Sequence, residues 1–375
     1  MASKNTKSRS GHEEFMAECL QLAEKGKGKV SPNPLVGAIL VKKGKIVARG
    51  YHKRFGGPHA EVVCLQSYRG NARSATLYIN LEPCAHFGKT PPCTDLLLES
   101  GIRKIVIGMK DPNPIVSGRG IQILRSAGVA VTVGVLEEEA QDLNKMFVKH
   151  ITQGLPYVHL KVAQSLDGKI ARAQRTPEWI TSKQSRKLVH KWRSEYDAIL
   201  VGAGTIRADD PMLTVRMLTR RRRHPDVIVL DGNLNLSPEA KVFTELHGRR
   251  VFVCVDNDVA TEKLKKVQHL MAQGVHVLRY HGQGGMLPLK AVLADLYKRA
   301  IGSILVEGGS QTASQFLYEH YADELSVFVA PQVLGPGIPA FQPALELGGT
   351  TQSLAIKKLS STLVGTDVLL QARIG

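Results

Sequence analysis

Aromatic side chains are scarce in this chain: Phe, Tyr and Trp make up 5% of its 375 residues. A surface that stacks the bases of single-stranded nucleic acid needs such rings in series, so no nucleic-acid partner is expected. Long apolar runs are missing as well. No stretch approaches the ~18 residues of a membrane span, which excludes a membrane-embedded helix. Cysteines number five, Cys19, Cys64, Cys84, Cys93 and Cys254. An odd count without an export signal argues against a disulfide framework and for a reducing compartment, so a cytoplasmic location is expected. The basic, polar start MASKNTKSRSG lacks the apolar core of a secretory signal and reads as a frayed tail. Acidic residues are outnumbered, 33 against 50 basic ones, which leaves a net charge of +17. That balance suits anionic ligands, such as nucleic acid or small phosphorylated molecules. The densest basic run, Arg220 to His224, reads as an exposed loop before a strand.

Hydrophobic content of 43% and charged content of 22% predict a globular protein, and the length is comfortable for two domains. LVGAILVKKGKIVARGYH reads as a hairpin turning at Lys43-Gly44. A helix is expected from His59 to about Ser67, a strand over ATLYIN, and a short helix from Thr94 to Ser100. Strand RKIVIG, helix GIQILRSAG, strand VAVTVGV and helix EEEAQDLNKMFVKHI follow. Gly and Pro interrupt the pattern at TQGLPY, and alternation then restarts with YVHLKVA, a helix from Ser182 to Glu195, and DAILVGAG. Strands DVIVLD, RVFVCV, VHVLRY and SILVEGG, and helices PLKAVLADLYKRA and 310–322, lead to a strand-rich C-terminus. Alternating strands and helices predict α/β layers with largely parallel pairing. The boundary is expected near Gly154, giving domains 1–153 and 154–375.

GGPHAEVVCL and LEPCAHFGKTPPC carry the first chemistry. Catalytic zinc takes three protein ligands of imidazole or thiolate type and leaves a position for water. His59, Cys84 and Cys93 supply three, and one zinc per chain is expected. Glu61, two residues from His59, is free to move protons between that water and a leaving nitrogen. Expected helix starts at His59 and Cys93 favour the anionic form of a thiol. The H-x-E and P-C elements match the signature of zinc nucleobase deaminases, but eight residues separate the cysteines. His86 competes with Cys93 as third ligand, and His52 is placed near the substrate instead.

SPNPLVGAILV, HAE and EPCAHFGKTPPC together resemble the deaminase domain of the bifunctional riboflavin-biosynthesis deaminase/reductase family. The resemblance implies a cytidine-deaminase-like α/β/α domain. It also implies loss of the 2-amino group from a diaminopyrimidinone carrying ribosylamine 5′-phosphate. On that reading Asn33 touches substrate; on the residues alone, Asn33-Pro34 is a turn before a strand.

The second half offers LKVAQSLDGKIA, DAILVGAGTIRADDPMLTVR and ILVEGG. Strand, glycines and then a helix N-terminus make an anion cradle, though neither instance fits G-x-G-x-x-G with a downstream acid. These stretches resemble the same family's reductase domain, a dihydrofolate-reductase-like α/β domain that takes hydride from NADPH to turn the ribosyl group into ribityl. The resemblance spans about Glu13 to Ile374. It assigns NADPH to Ala163, Thr205, Asp209 and the segment Gly309, Ser310, Gln311, Thr312, Ala313, Ser314 and Gln315. It assigns substrate to Trp179, Arg193, Leu213, Arg216 and Glu307, with Lys161 beside them. Arg193 and Arg216 can fork a phosphate. The plain alternatives are a core Trp179, an exposed helical Arg193 and a turn-capping Glu307. The family's G-x-S-x-W pattern is replaced here by RTPEW, which puts binding at Thr176, Pro177 and Glu178 in question. A homodimer is expected.

Two other readings stay open on the residues. One is a tRNA-type zinc deaminase with a basic accessory domain, which the charge favours and the cysteine spacing opposes. The other is a zinc-stapled binding module, which would normally show four protein ligands.

Overall fold

The computed structural model describes residues 11–85, 91–114, 116–173, 179–219, 223–343 and 356–374. The chain divides into two compact units, Met1–Gly154 and Leu155–Gly375. Gly154 caps the helix Lys145–Gln153 in the left-handed conformation at φ 64°, which suits glycine and ends the first unit.

The first unit is built on five strands: β1 (Gly37–Lys42), β2 (Lys45–Tyr51), β3 (Thr76–Leu81), β4 (Lys104–Met109) and β5 (Ala130–Val133). Their order is β2-β1-β3-β4-β5. β1 runs antiparallel to both β2 and β3, while β3, β4 and β5 are parallel. Parallel pairing is therefore confined to half of this sheet. The hairpin predicted at Lys43-Gly44 supplies the antiparallel half. Successive residues of one strand enter opposite cores. Leu40, Leu77, Ile79, Ile105 and Ile107 pack on one face, and Ile39, Val41, Tyr78 and Val106 on the other, with Met16 and Cys19 of the helix Gly11–Ala23. That alternation is what a strand buried on both faces requires. The helix expected over EEEAQDLNKMFVKHI is two, Glu137–Leu143 and Lys145–Gln153, broken at Asn144. The side chain of Asn144 accepts from Leu35 N at 2.8 Å and donates to Leu35 O at 3.0 Å.

The second unit holds β6 (Tyr157–Ser165), β7 (Lys169–Arg172), β8 (Ala198–Gly202), β9 (Asp226–Leu230), β10 (Val251–Asp256), β11 (His276–Tyr280), β12 (Ser303–Val306), β13 (Glu324–Ala330), β14 (Gly337–Pro339), β15 (Ile356–Val364) and β16 (Asp367–Ile374). Nine of them form one sheet in the order β11-β10-β9-β8-β12-β6-β13-β16-β15. From β11 to β13 every pair is parallel, and the antiparallel hairpin β15–β16 closes the edge. Again the strands alternate between two cores. Ala198, Leu200, Ile228 and Cys254 face one layer, and Ile199, Val201, Val229 and Val253 the other. Parallel strands with both faces covered bring their C-terminal ends to one rim, where open α/β sheets bind ligands. No helix among the described residues is long and apolar enough to cross a membrane.

Candidate active sites

In the first unit three short segments converge. His59 occupies the N-cap of the helix Ala60–Gln66 in an extended backbone conformation, and its side chain is not spent on capping the helix. Cys84 follows the end of β3 by three residues. Cys93 opens the helix Cys93–Glu99, and its backbone N–H donates to Cys84 Sγ at 3.3 Å. His59 Nδ1 lies 3.2 Å from Cys93 Sγ and 3.6 Å from Cys84 Sγ. Two donors bonded at about 2.0 to 2.3 Å to one tetrahedral zinc lie roughly 3.3 to 3.8 Å apart. The donor atoms all fall within 4.8 Å of one another, so the three residues fit a metal ion of that kind. Hydrogen bonding from Cys93, then from His59, holds the Cys84 thiol down at about 4. The thiol of Cys93 is pushed up, first by its bond to Cys84 and then by burial.

Glu61 is 3% exposed and sits one residue inside the helix that His59 caps. Burial pushes its carboxyl upward, the direction that suits a group exchanging protons near neutrality. His52 Nδ1 donates to Pro58 O at 3.0 Å, which leaves Nε2 to accept from Asn33 Nδ2 at 3.2 Å. The His52 ring meets the His59 ring edge-on at 5.8 Å. Asn33 and His52 therefore stand together beside the cluster. His86 lies outside the described residues.

Two buried side chains here escaped the sequence reading. Asn80 accepts from Gly37 N and donates to Leu35 O, and with Asn144 it fixes the loop that carries Asn33. Glu82 accepts from the backbone N–H groups of Asp111, Gly118 and Ile121, anchoring the Pro83-Cys84 turn. A polar residue inside the apolar strand YINLE was the available signal.

In the second unit β8 and β12 are neighbours, and each runs through glycine into a helix, Ala203–Asp209 and Ser310–Tyr318. The two turns touch. A Cβ on Gly308 would stand 2.7 Å from Thr312 Cβ, and one on Gly202 would stand 2.4 Å from Thr312 Oγ1. Both helix N-termini open on a cavity of about 460 Å³ walled by Gly204, Thr205, Asp209, Gly309, Ser310 and Gln315, among others. Gln311 and Thr312 also reach it, whereas Ala313 lies in the core and Ser314 is fully buried. Ala163 packs against the cluster of Val189, Phe328 and Leu369. The Ser310 hydroxyl is buried without a hydrogen-bond partner among the described residues. An orphaned hydroxyl at a helix N-terminus, with a glycine before it, fits the diphosphate of a dinucleotide. Arg207 is the one basic residue on the wall among those described, and the carboxylate of Asp231 is taken by Asn235 N and Leu236 N.

Beside this cavity, Glu307 follows β12. Arg193 forks it, Nε to Oε1 at 2.6 Å and Nη2 to Oε2 at 3.0 Å, and Lys161 Nζ lies 3.8 Å from Oε2. Glu307 is pulled to about 2; burial opposes ionisation, and Arg193 followed by Lys161 outweighs it. Burial in turn draws Lys161 downward. The remaining Arg193 nitrogen donates to Thr214 O at 3.2 Å, so the fork expected for a phosphate is already filled. Arg216 is exposed nearby. Leu213 is 3% exposed and can offer a ligand only its backbone. Trp179 is 72% exposed with Arg186 stacked on it at 4.6 Å, which excludes the core reading. Thr176, Pro177, Glu178 and Arg220 to Arg222 lie outside the described residues.

Residues 9–109 match the family model of the cytidine and deoxycytidylate deaminase zinc-binding region, and residues 156–370 match that of the RibD C-terminal domain. By class, then, the chain joins a cytidine-deaminase-like zinc domain to a dihydrofolate-reductase-like α/β reductase domain. It is 43% identical to the riboflavin biosynthesis protein RibD of Aquifex aeolicus, over 95% of this chain and 96% of the relative. It is 38% identical to RibD of Escherichia coli, over 96% and 98%. A diaminohydroxyphosphoribosylaminopyrimidine deaminase/5-amino-6-(5-phosphoribosylamino)uracil reductase from Thermotoga maritima superposes with a TM-score of 0.85 at 40% identity, covering 97% of this chain and 99% of that one. The chain belongs to the RibD family of bifunctional riboflavin-biosynthesis deaminase/reductases.

Proposed function

We propose that this chain deaminates a diaminopyrimidinone ribosylamine 5′-phosphate hydrolytically and then reduces the ribosyl group of the product to ribityl. The observation that carries the reading is the pairing, in one chain, of a His59-Cys84-Cys93 cluster beside buried Glu61 with a two-helix cradle beside Glu307.

His59, Cys84 and Cys93 hold one zinc, which supplies the Lewis acidity that makes water nucleophilic near neutral pH. Glu61 takes a proton from the attacking water and delivers one to the departing nitrogen. The water oxygen bonds to carbon, the carbon–nitrogen bond breaks, and ammonia leaves. Asn33, held by His52, orients the pyrimidine. Thr205, Asp209 and the Gly309 to Thr312 turn, with Gln315, hold NADPH, which supplies the hydride. Ala313 and Ser314 support that turn from behind, while Ala163 packs with Val189, Phe328 and Leu369 in a separate cluster. Glu307 and Lys161 face the sugar carbon, Arg193 holds Glu307 in place, and Arg216 with the Leu213 backbone meets the phosphate. Trp179 covers the pyrimidine. A cytoplasmic homodimer completes the reading. Its supports are five free cysteines and an edge strand, β15, that exposes Ile356, Leu359 and Leu363.

The test is incubation with the diaminopyrimidinone substrate, with and without NADPH, reading products by mass. Deaminated product alone without NADPH, and its ribityl form with it, are expected. Changing Cys93 to Ser should remove zinc and deamination together; full zinc retention would transfer the ligand role to His86.

A further inference from the structure

Arg249 lies in the reductase unit just before β10, in none of the roles assigned above. Its side chain is buried, with 7% of the residue exposed, and among the described residues no carboxylate forms an ion pair with it. Nη1 donates to Leu213 O at 2.6 Å and Nη2 donates to Met212 O, while Nε has no hydrogen-bond partner among the described residues. Asp226, the acid whose field reaches it, is forked by Arg250. Burial, then the charge of Arg193, draws the guanidinium down to about 10, so it remains a cation at neutral pH. A buried, incompletely satisfied charge is costly, and an apolar side chain would pack there at less expense.

The two carbonyls it grips explain its presence. Leu213 has φ 51°, a left-handed conformation that a residue with a Cβ avoids. The rest of the segment is pinned the same way. Thr214 O accepts from Arg193, Val215 N donates to His224 Nδ1, and Arg216 N donates to His190 Nδ1. Five successive residues therefore each surrender a backbone group to a side chain from elsewhere in the unit. A guanidinium holds its two terminal nitrogens in a rigid planar fork, and here Nη1 and Nη2 each take one of two neighbouring carbonyls. The segment ends at Arg216, whose own guanidinium is left exposed.

We propose that Arg249 is a positioning residue of the reductase: by gripping the carbonyls of Met212 and Leu213 it sets the backbone from which Arg216 reaches the substrate phosphate. This rests on the reading of Arg216 given above.

The experiment uses the full-length, zinc-loaded protein. Reduction is measured on the deaminated 5′-phosphate and on its dephosphorylated analogue, for the parent, Arg249→Met, Arg249→Lys, Arg216→Gln and the Arg216→Gln/Arg249→Met double variant. Arg249→Met should lower the preference for the phosphorylated substrate by about 10- to 100-fold, through KM, the worth of a charge-assisted contact to phosphate. The dephosphorylated analogue, the NADPH KM and deamination should change little. Arg249→Lys, which keeps the charge but reaches one carbonyl, should fall between, and it carries the test if Arg249→Met fails to fold. The double variant should be no worse than Arg216→Gln. Equal losses on both substrates, or additive losses in the double variant, would make Arg249 a purely structural residue and overturn the proposal. If Arg216→Gln itself leaves phosphate preference intact, the reading of Arg216 falls and takes the proposal with it. If Arg216→Gln abolishes that preference and Arg249→Met does not, the proposal alone falls.

Discussion

Glu61 is surrounded by metal-ligating groups yet is not needed to complete their set. Changing it to Gln keeps its size and removes the base. Deamination should drop by roughly 10²- to 10⁴-fold, the usual worth of general acid–base catalysis. Zinc, assayed by metal analysis, should stay bound, and reduction of pre-deaminated substrate should be nearly intact. Loss of zinc would make Glu61 a ligand. Arg207 invites a second test, since it is the basic residue on the cofactor cavity wall among those described. Arg207→Gln should weaken NADPH binding by up to about 10-fold in low salt, with NADH changed far less, as expected for one partly exposed charge facing a phosphate. Equal effects on both cofactors, read by fluorescence titration, would remove Arg207 from phosphate recognition. His59, Glu61, Cys84 and Cys93 were legible in the sequence because each sits at the start of a helix or just beyond a strand, where local pattern shows. Asn144 and Arg249 were not, because their partners Leu35 and Leu213 lie 109 and 36 residues away, and no spacing rule spans such a gap. Arg193 was legible as a fork but not as one already occupied by Glu307.

The helix Ser310–Tyr318 shows what an element adds to a list of residues. Its first seven positions from Gly309 read as one binding run, but a helix advances 100° per residue. Ser310, Gln311, Thr312 and Gln315 reach the cavity, while Ala313 and Ser314 turn to the interior. The turn before it is tight enough to test. In Gly308→Ala the new Cβ would lie 2.7 Å from Thr312 Cβ, so the helix must move. Overpacking of this kind costs about 1 to 3 kcal/mol, and NADPH affinity should weaken by about 10-fold or more while deamination is unchanged. The helix Lys183–Arg193 yields a pH prediction. His190 is held down to about 4 from its ordinary 6.5, first by burial and then by Arg193 and Arg216. Between those limits the unfolded chain takes up a proton that the folded chain refuses. Stability is therefore full above pH 6.5 and falls by roughly 3 kcal/mol on acidification through pH 4. Denaturant unfolding in His190→Asn should lose that slope; an unchanged slope would place the titrating group elsewhere. Strand and helix order was legible here because parallel strands are bounded by Gly and Pro. The split helix at Asn144 was not, since its cause is a contact with Leu35.

Across the whole molecule the two units differ in how far apart along the chain their strands begin. In the first, sheet neighbours are close in sequence, from β1 to β5. In the second, β6 opens the unit at Tyr157, yet both its neighbours, β12 and β13, lie beyond residue 302. A ribosome emitting about 5 to 20 residues per second completes the first sheet well before β6 can acquire a partner. For several seconds the nascent second unit carries parallel strands with no central pair, a topology that closes slowly. Chains stopped after Tyr280 should therefore bind zinc and keep the sheet of the first unit resistant to protease, with no NADPH binding and a digestible remainder. Maturation would then be asymmetric: the metal is captured early, during synthesis, and the nucleotide cradle comes into being only when the sheet accepts its late central strand.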